Sequence, residues 1–235
     1  GALFLTTARP SAAPPEVATT TNGMGLTARL QSTHMLQGIH ETYLAVTVTA
    51  PDGDRALPRP DVNLAVVIDR SGSMAGEKLD HARRAAQRLI AQLRPSDRFS
   101  VIAYGSDVDV LATSGLATPE NKRRAAAALD AMQDDGGTNL SGGLLAGRSQ
   151  LIENPLRGSV SRVVLISDGI ANEGVIYRDA LAELARKTAQ QGISITTVGV
   201  GLDFDERVMT EIAVSGRGNY YFVESAAQLS SMFAT

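Results

Sequence analysis

Asp69, Ser71 and Ser73 stand at alternate positions just past a run of apolar, mostly β-branched residues: Val62, Leu64, Ala65, Val66, Val67 and Ile68. In extended chain, alternate side chains point the same way, so one carboxylate and two hydroxyls can converge on one point. All three offer oxygen, the donor type that hard cations such as Mg²⁺ prefer. A second acid, Asp168, follows another apolar stretch, 160–166, in the sequence Ser167-Asp168-Gly169. A glycine-bearing polar loop, Asp134-Asp135-Gly136-Gly137-Thr138-Asn139, lies between them. Other chemistry has little to build on. Without cysteine there is no thiolate zinc site, no disulfide and no cysteine nucleophile. His34, His40 and His81 have no GxSxG nucleophile motif to serve. Neither a GxGxxG following a strand nor a GxxxxGK[ST] loop is present, so nucleotide binding has no motif support.

Each motif taken alone has a local alternative. Ser71 and Ser73 could cap a helix beginning near Ala75, Thr138 could cap one beginning at Leu140, and Asp168-Gly169 could be an ordinary strand-end turn. The combination favours an ion. The pattern Asp-x-Ser-x-Ser resembles the von Willebrand factor type A (vWA) domain and its metal-ion-dependent adhesion site, and the resemblance runs from about 61 to 235. The local sequences DRSGSM, Pro95-Ser96-Asp97-Arg98-Phe99, GGTNL and SDG-x-x-x-x-G are most similar to those of bacterial envelope vWA proteins and of inter-alpha-trypsin inhibitor heavy chains. The resemblance implies five metal ligands: Asp69, Ser71 and Ser73 from a first loop, Thr138 from a second, Asp168 from a third. It implies Mg²⁺, with Mn²⁺ and Ca²⁺ as alternatives. Two carboxylates would neutralise such an ion and leave it one position for an anionic oxygen of a partner. Arg70, Asp135, Asn139, Asn172 and Glu173 lie in the same loops and are candidates for a partner-contact rim, although solvated loop polarity explains them as well.

The elements that must position these residues follow from periodicity. An apolar run without alternation fits a strand buried on both faces of a parallel sheet, whose carboxyl end is where such sheets place ligands. From 77 to 93 the residues Leu79, Ala82, Ala86, Leu89, Ile90 and Leu93 recur at helical spacing. Strands are expected at 97–104 and 108–111, joined so tightly that they must be antiparallel. A helix capped by Thr118 with Pro119 at its first position runs to about 132, and another spans 140–152. Then come a strand at 160–166, a helix at 177–190, a strand at 193–200, a short helix at 205–214, a strand at 219–223 and a capping box opening a last helix at Ser225. The alternation predicts an α/β fold: a doubly wound, mostly parallel six-stranded sheet with helices on both faces and one antiparallel edge strand.

Three segments are expected. Residues 1–25 form a Thr-, Ala- and Pro-rich linker or tail. Residues 26–60 form a short β appendage and connector, with strands at 26–30 and 43–49. Residues 61–235 form the main domain. Two strands alone are marginal in water, so the appendage must pack on the main domain or belong to an incomplete β module. The chain of 235 residues begins with Gly, as a processed or trimmed chain does, and contains no apolar stretch of membrane-spanning length. Its formal net charge of −3 gives no broad attraction to nucleic acid. The expected function is non-enzymatic: a metal-dependent adhesion or scaffold module that captures a protein or matrix-like ligand presenting Asp or Glu. It is expected outside the cytoplasm, in the periplasm, at the surface or secreted. The alternatives are an intracellular scaffold cooperating with a chaperone-type ATPase and a metal-assisted hydrolase.

Overall fold

The computed structural model describes residues 16–21, 24–30, 44–49, 59–168, 171–200 and 205–223. Two units divide at the 59/60 boundary. In the first, β1 (Glu16–Thr21), β2 (Met24–Leu30) and β3 (Leu44–Thr49) form a three-stranded antiparallel sheet in the order β1-β2-β3. Of the segment expected as a linker, 16–21, 24 and 25 are paired strand, and 1–15 lie outside the described residues. The signal was present. Thr19, Thr20 and Thr21 are β-branched and favour extended pairing. Asn22-Gly23, between two strands whose register joins Thr21 to Met24, is a preferred composition for a hairpin loop. Proline content at 10–15 masked that pattern.

The second unit begins with β4 (Val62–Asp69), followed by a 3₁₀ turn (Gly72–Met74) and α1 (Glu77–Ala91). Next come β5 (Arg98–Tyr104), β6 (Val108–Leu116), α2 (Pro119–Ala131) and α3 (Leu140–Glu153). The chain continues with β7 (Val160–Ser167), α4 (Arg178–Gln190), β8 (Ile193–Val200), α5 (Glu206–Ser215) and β9 (Arg217–Val223). The sheet order is β6-β5-β4-β7-β8-β9. All pairs are parallel except β5 with β6, which is antiparallel at the edge. The fold is the expected one. The last helix expected from Ser225 lies outside the described residues. β6 extends to Leu116, five residues past the expected end, because an irregular register between Phe99 and Ile102 lets the half-exposed 112–116 continue the pairing.

β4 organises two cores by alternation. Leu64, Val66 and Ile68 face one, packed with Leu79, Ala82, Ala86 and Ile90 of α1 and Leu129 of α2. Ala65 and Val67 face the other, packed with Leu140 and Leu144 of α3, Leu181 of α4 and Ile212 of α5. Each buried Val, Leu or Ile contributes roughly 1.5–3 kcal/mol, so this strand is fixed on both faces. The chain leaves β4 for β5 on one side and returns for β7 on the other. β4 is therefore the point where the winding reverses, and loops diverge from its carboxyl end to leave a crevice. Asp69 stands there.

Candidate metal centre

Asp69 ends β4 with its side chain buried, held at both oxygens. Oδ1 accepts from the Ser71 backbone N–H at 2.9 Å, which turns the chain sharply after the strand. Oδ2 accepts from the Ser167 hydroxyl at 2.6 Å and from the Tyr104 hydroxyl at 3.3 Å. The strands on either side of β4 thus each supply one donor to its terminal acid. Past Asp69 the chain closes the 3₁₀ turn with a Met74 N–H to Ser71 C=O bond of 2.9 Å, and the fully buried Met74 side chain anchors it. The turn leaves Ser71 Oγ and Ser73 Oγ 3.1 Å apart on one side. Ser71 is buried and Ser73 exposed.

The second loop is fastened to the first through backbone bonds. Gly72 N–H donates to Gly136 C=O at 3.1 Å, and Asp135 N–H to Arg70 C=O at 2.7 Å. Gly105 sits so close to Asp135 that a Cβ on it would lie 2.2 Å from the Asp135 carbonyl oxygen. The third loop is fastened to the second at Thr138. Thr138 N–H donates to Asn172 Oδ1 at 2.7 Å, and the N–H groups of Asn172 and Glu173 donate to Thr138 C=O at 3.2 Å. Asp168, fully buried, takes Lys78 Nζ at 3.4 Å on Oδ2.

The local alternatives to a metal can be checked against these bonds. Ser71 precedes the 3₁₀ turn but its side chain makes no capping bond, and α1 starts after Gly76 without a side-chain cap. The cap of α3 is Asn139, whose Oδ1 accepts from Gly142 N–H at 2.9 Å, and not Thr138. Burial pushes the Asp69 carboxyl above its ordinary pKa and the neighbouring Asp168 charge adds to the rise, against the lowering effect of the Ser167 and Ser71 bonds. Two adjacent buried carboxylates with hydroxyls beside them are a cation-seeking arrangement. Among the described residues no three of His, Cys, Asp and Glu gather as a metal site. The available donors are therefore two carboxylates and hydroxyls, which suit a hard divalent ion.

The five residues named as rim candidates all lie in these loops, and each has an intramolecular bond. Arg70 pairs with Asp109 at 2.6 Å and approaches Asp135 at 3.8 Å. Asn139 caps α3, Asn172 holds Thr138, and Glu173 Oε1 accepts from Ser106 Oγ at 2.8 Å. The sequence reading missed Ser167, Tyr104, Ser106 and Lys78. Tyr104 had a signal, a hydroxyl at the carboxyl end of the neighbouring buried strand, where the register places it opposite Asp69. Ser167 adjoins Asp168 but could equally have faced away.

The family model for the von Willebrand factor type A domain matches residues 63–235. The chain is 29% identical over 189 residues to the uncharacterised protein YfbK of Escherichia coli, covering 80% of this chain and 32% of that protein. It is 32% identical over 176 residues to human inter-alpha-trypsin inhibitor heavy chain H3, covering 72% of this chain and 19% of that one. The chain thus spans about a third or less of these two relatives. Among solved structures, mussel byssus proximal thread matrix protein 1, with a zinc-occupied adhesion-site motif, superposes with a TM-score of 0.59 at 19% identity, over 74% of this chain and 44% of that one.

Proposed function

The chain belongs to the von Willebrand factor type A family, and from that premise we propose that its crevice is a metal-ion-dependent adhesion site through which it grips an acidic side chain of a protein partner. The observation that carries this is the set of donors at the end of β4. Asp69 and Asp168 are buried as neighbours, the Ser71 and Ser73 hydroxyls lie 3.1 Å apart, and neither Ser71 nor Thr138 is spent on capping a helix. In this reading Asp69, Ser71, Ser73, Thr138 and Asp168 hold the ion. The carboxylates supply its counter-charge and the hydroxyls add none. A divalent cation bound there supplies one open coordination position to an anionic oxygen. Mg²⁺ fits best because its octahedral shell keeps waters that a ligand can replace; Mn²⁺ is the close alternative and Ca²⁺ the more distant one.

The protein's own residues prepare that event. Ser167 and Tyr104 hold Asp69 in place, and Asn172 holds the Thr138 loop. Arg70, Asp135, Asn139, Asn172 and Glu173 form the rim that a partner meets. In this reading the module binds rather than catalyses, and it works outside the cytoplasm, in an envelope or secreted. Among the described residues no helix is long and apolar enough to cross a membrane. Isothermal titration with Mg²⁺ and Mn²⁺ tests the site. Binding by the wild type and its loss in Asp69→Ala are expected, and a wild type indifferent to both ions rules it out. An EDTA-sensitive pulldown from an envelope or extracellular fraction then tests the partner.

A further inference from the structure

We propose that Lys78 is an internal counter-ion that competes with the divalent cation for Asp168 and so sets how tightly the site holds metal; this rests on the adhesion-site reading above. Lys78 Nζ lies 3.4 Å from Asp168 Oδ2. The carboxylate is fully buried, whereas about a quarter of the lysine side chain is exposed (26%). The placement is otherwise unfavourable. Lys78 is the second residue of α1, where unpaired backbone N–H groups make the helix end positive and favour acids over bases. Asp168 offsets that repulsion together with Glu77 and Asp80 of the same turn.

An ammonium against Asp168 balances part of the charge of two adjacent buried carboxylates. A divalent ion ligated by Asp168 would do the same more fully, and both cannot stand beside one carboxylate without repelling each other. The four-carbon stem gives the lysine somewhere to go, since about a quarter of its side chain is already exposed. Metal entry is therefore an exchange of one cation for another. Folding is supported by Lys78 when the ion is scarce and by the ion when it is plentiful. The cost of expelling the ammonium is subtracted from metal affinity.

The test compares wild type with Lys78→Gln and Lys78→Arg. Removing the charge is expected to tighten Mn²⁺ binding by about three- to tenfold in isothermal titration. It is also expected to lower the Tm in EDTA and to enlarge the rise in Tm on adding Mn²⁺. Lys78→Arg should stay close to wild type in all three. A second measurement needs no variant: acetylation of Lys78 in the wild type, followed by mass spectrometry with Lys122 and Lys187 as references, should quicken when Mn²⁺ is added. Equal or weaker Mn²⁺ binding by Lys78→Gln would overturn the proposal and make Lys78 a support for Asp168. A Lys78 labelling rate that Mn²⁺ leaves unchanged would overturn it too. Failure of the wild type to bind Mn²⁺ at all is a different result, and it removes the metal site itself.

Discussion

The hydroxyl of Ser167 donates a 2.6 Å hydrogen bond to Oδ2 of Asp69, a residue 98 positions earlier in the chain. The two meet because β4 and β7 pair in parallel, Ile68 opposite Ile166, which brings the strand-end residues side by side. Tyr104, opposite Asp69 on β5, reaches the same oxygen at 3.3 Å. Residues that orient a metal ligand typically govern about 10–100-fold of affinity. Ser167→Ala is therefore expected to weaken Mn²⁺ binding within that range while the far-UV circular dichroism stays unchanged. Tyr104→Phe should weaken it less, its bond being longer. Titration of both variants checks the order, and unchanged affinity in Ser167→Ala would mean that Asp69 needs no aiming.

The raised pKa of Asp69 makes a prediction about stability in which the sign matters. In the unfolded chain the group has its ordinary value, about 3.9. In the folded protein burial and Asp168 raise it. The folded state therefore holds the proton more firmly. The destabilisation is absent below the unfolded value, grows as pH rises toward the folded one, and is complete above it. Asp69→Asn, which carries no charge at any pH, is expected to be more stable than wild type in EDTA near neutral pH. The gap should close as the solution is acidified through the folded pKa. Saturating Mn²⁺ should reverse the order, because only the wild type gains binding free energy. Urea unfolding under these three conditions is the measurement. A variant less stable than wild type in neutral EDTA would show that the Ser71 and Ser167 bonds outweigh burial.

Packing under the site rests on two glycines of α3. A Cβ on Gly143 would lie 2.4 Å from Tyr104 Cδ1, and one on Gly147 would lie 2.6 Å from Val67 Cγ2. They are one helical turn apart and let α3 approach the sheet at β4 and β5. Alanine gains up to about 1 kcal/mol in helix propensity, but overpacking a rigid core costs about 1–3 kcal/mol. Both Gly→Ala variants should be net destabilised in urea melts. Gly143→Ala should also lose Mn²⁺ affinity, because the ring it displaces carries the hydroxyl on Asp69. Gly147→Ala should keep that affinity.

Much of this was legible in the sequence, for a physical reason. The run 64–68 is apolar on both faces, as a central strand is, so the acid after it had to stand at the sheet's open end. The amphipathic face of α1 and the Thr118-Pro119 start of α2 are equally local signals. What stayed hidden depends on pairing between distant segments. Ser167 and Tyr104 become partners of Asp69 only once three strands are in register. Lys78 is one polar residue among several on α1 until Asp168 is brought to it. The strand at 16–21 was hidden differently, its β-branched threonines outweighed by the prolines just before them.

Asn172 separates a supporting residue from a surface one. Its Oδ1 accepts from the N–H of the nearly buried Thr138 at 2.7 Å, and its own N–H returns a bond to the Thr138 carbonyl. Truncation to Ala strands the Thr138 N–H, a loss of about 1–3 kcal/mol where water cannot replace the acceptor. Asp in its place keeps an acceptor in the same position and adds negative charge to the loop that carries Thr138, a proposed ligand. Asn172→Ala should therefore melt earlier and bind Mn²⁺ more weakly, while Asn172→Asp should hold its affinity or improve it. Calorimetry and titration on the pair decide the matter. If Asn172→Ala leaves both quantities unchanged and reduces only partner capture, the side chain acts at the rim and the Thr138 loop stands without it.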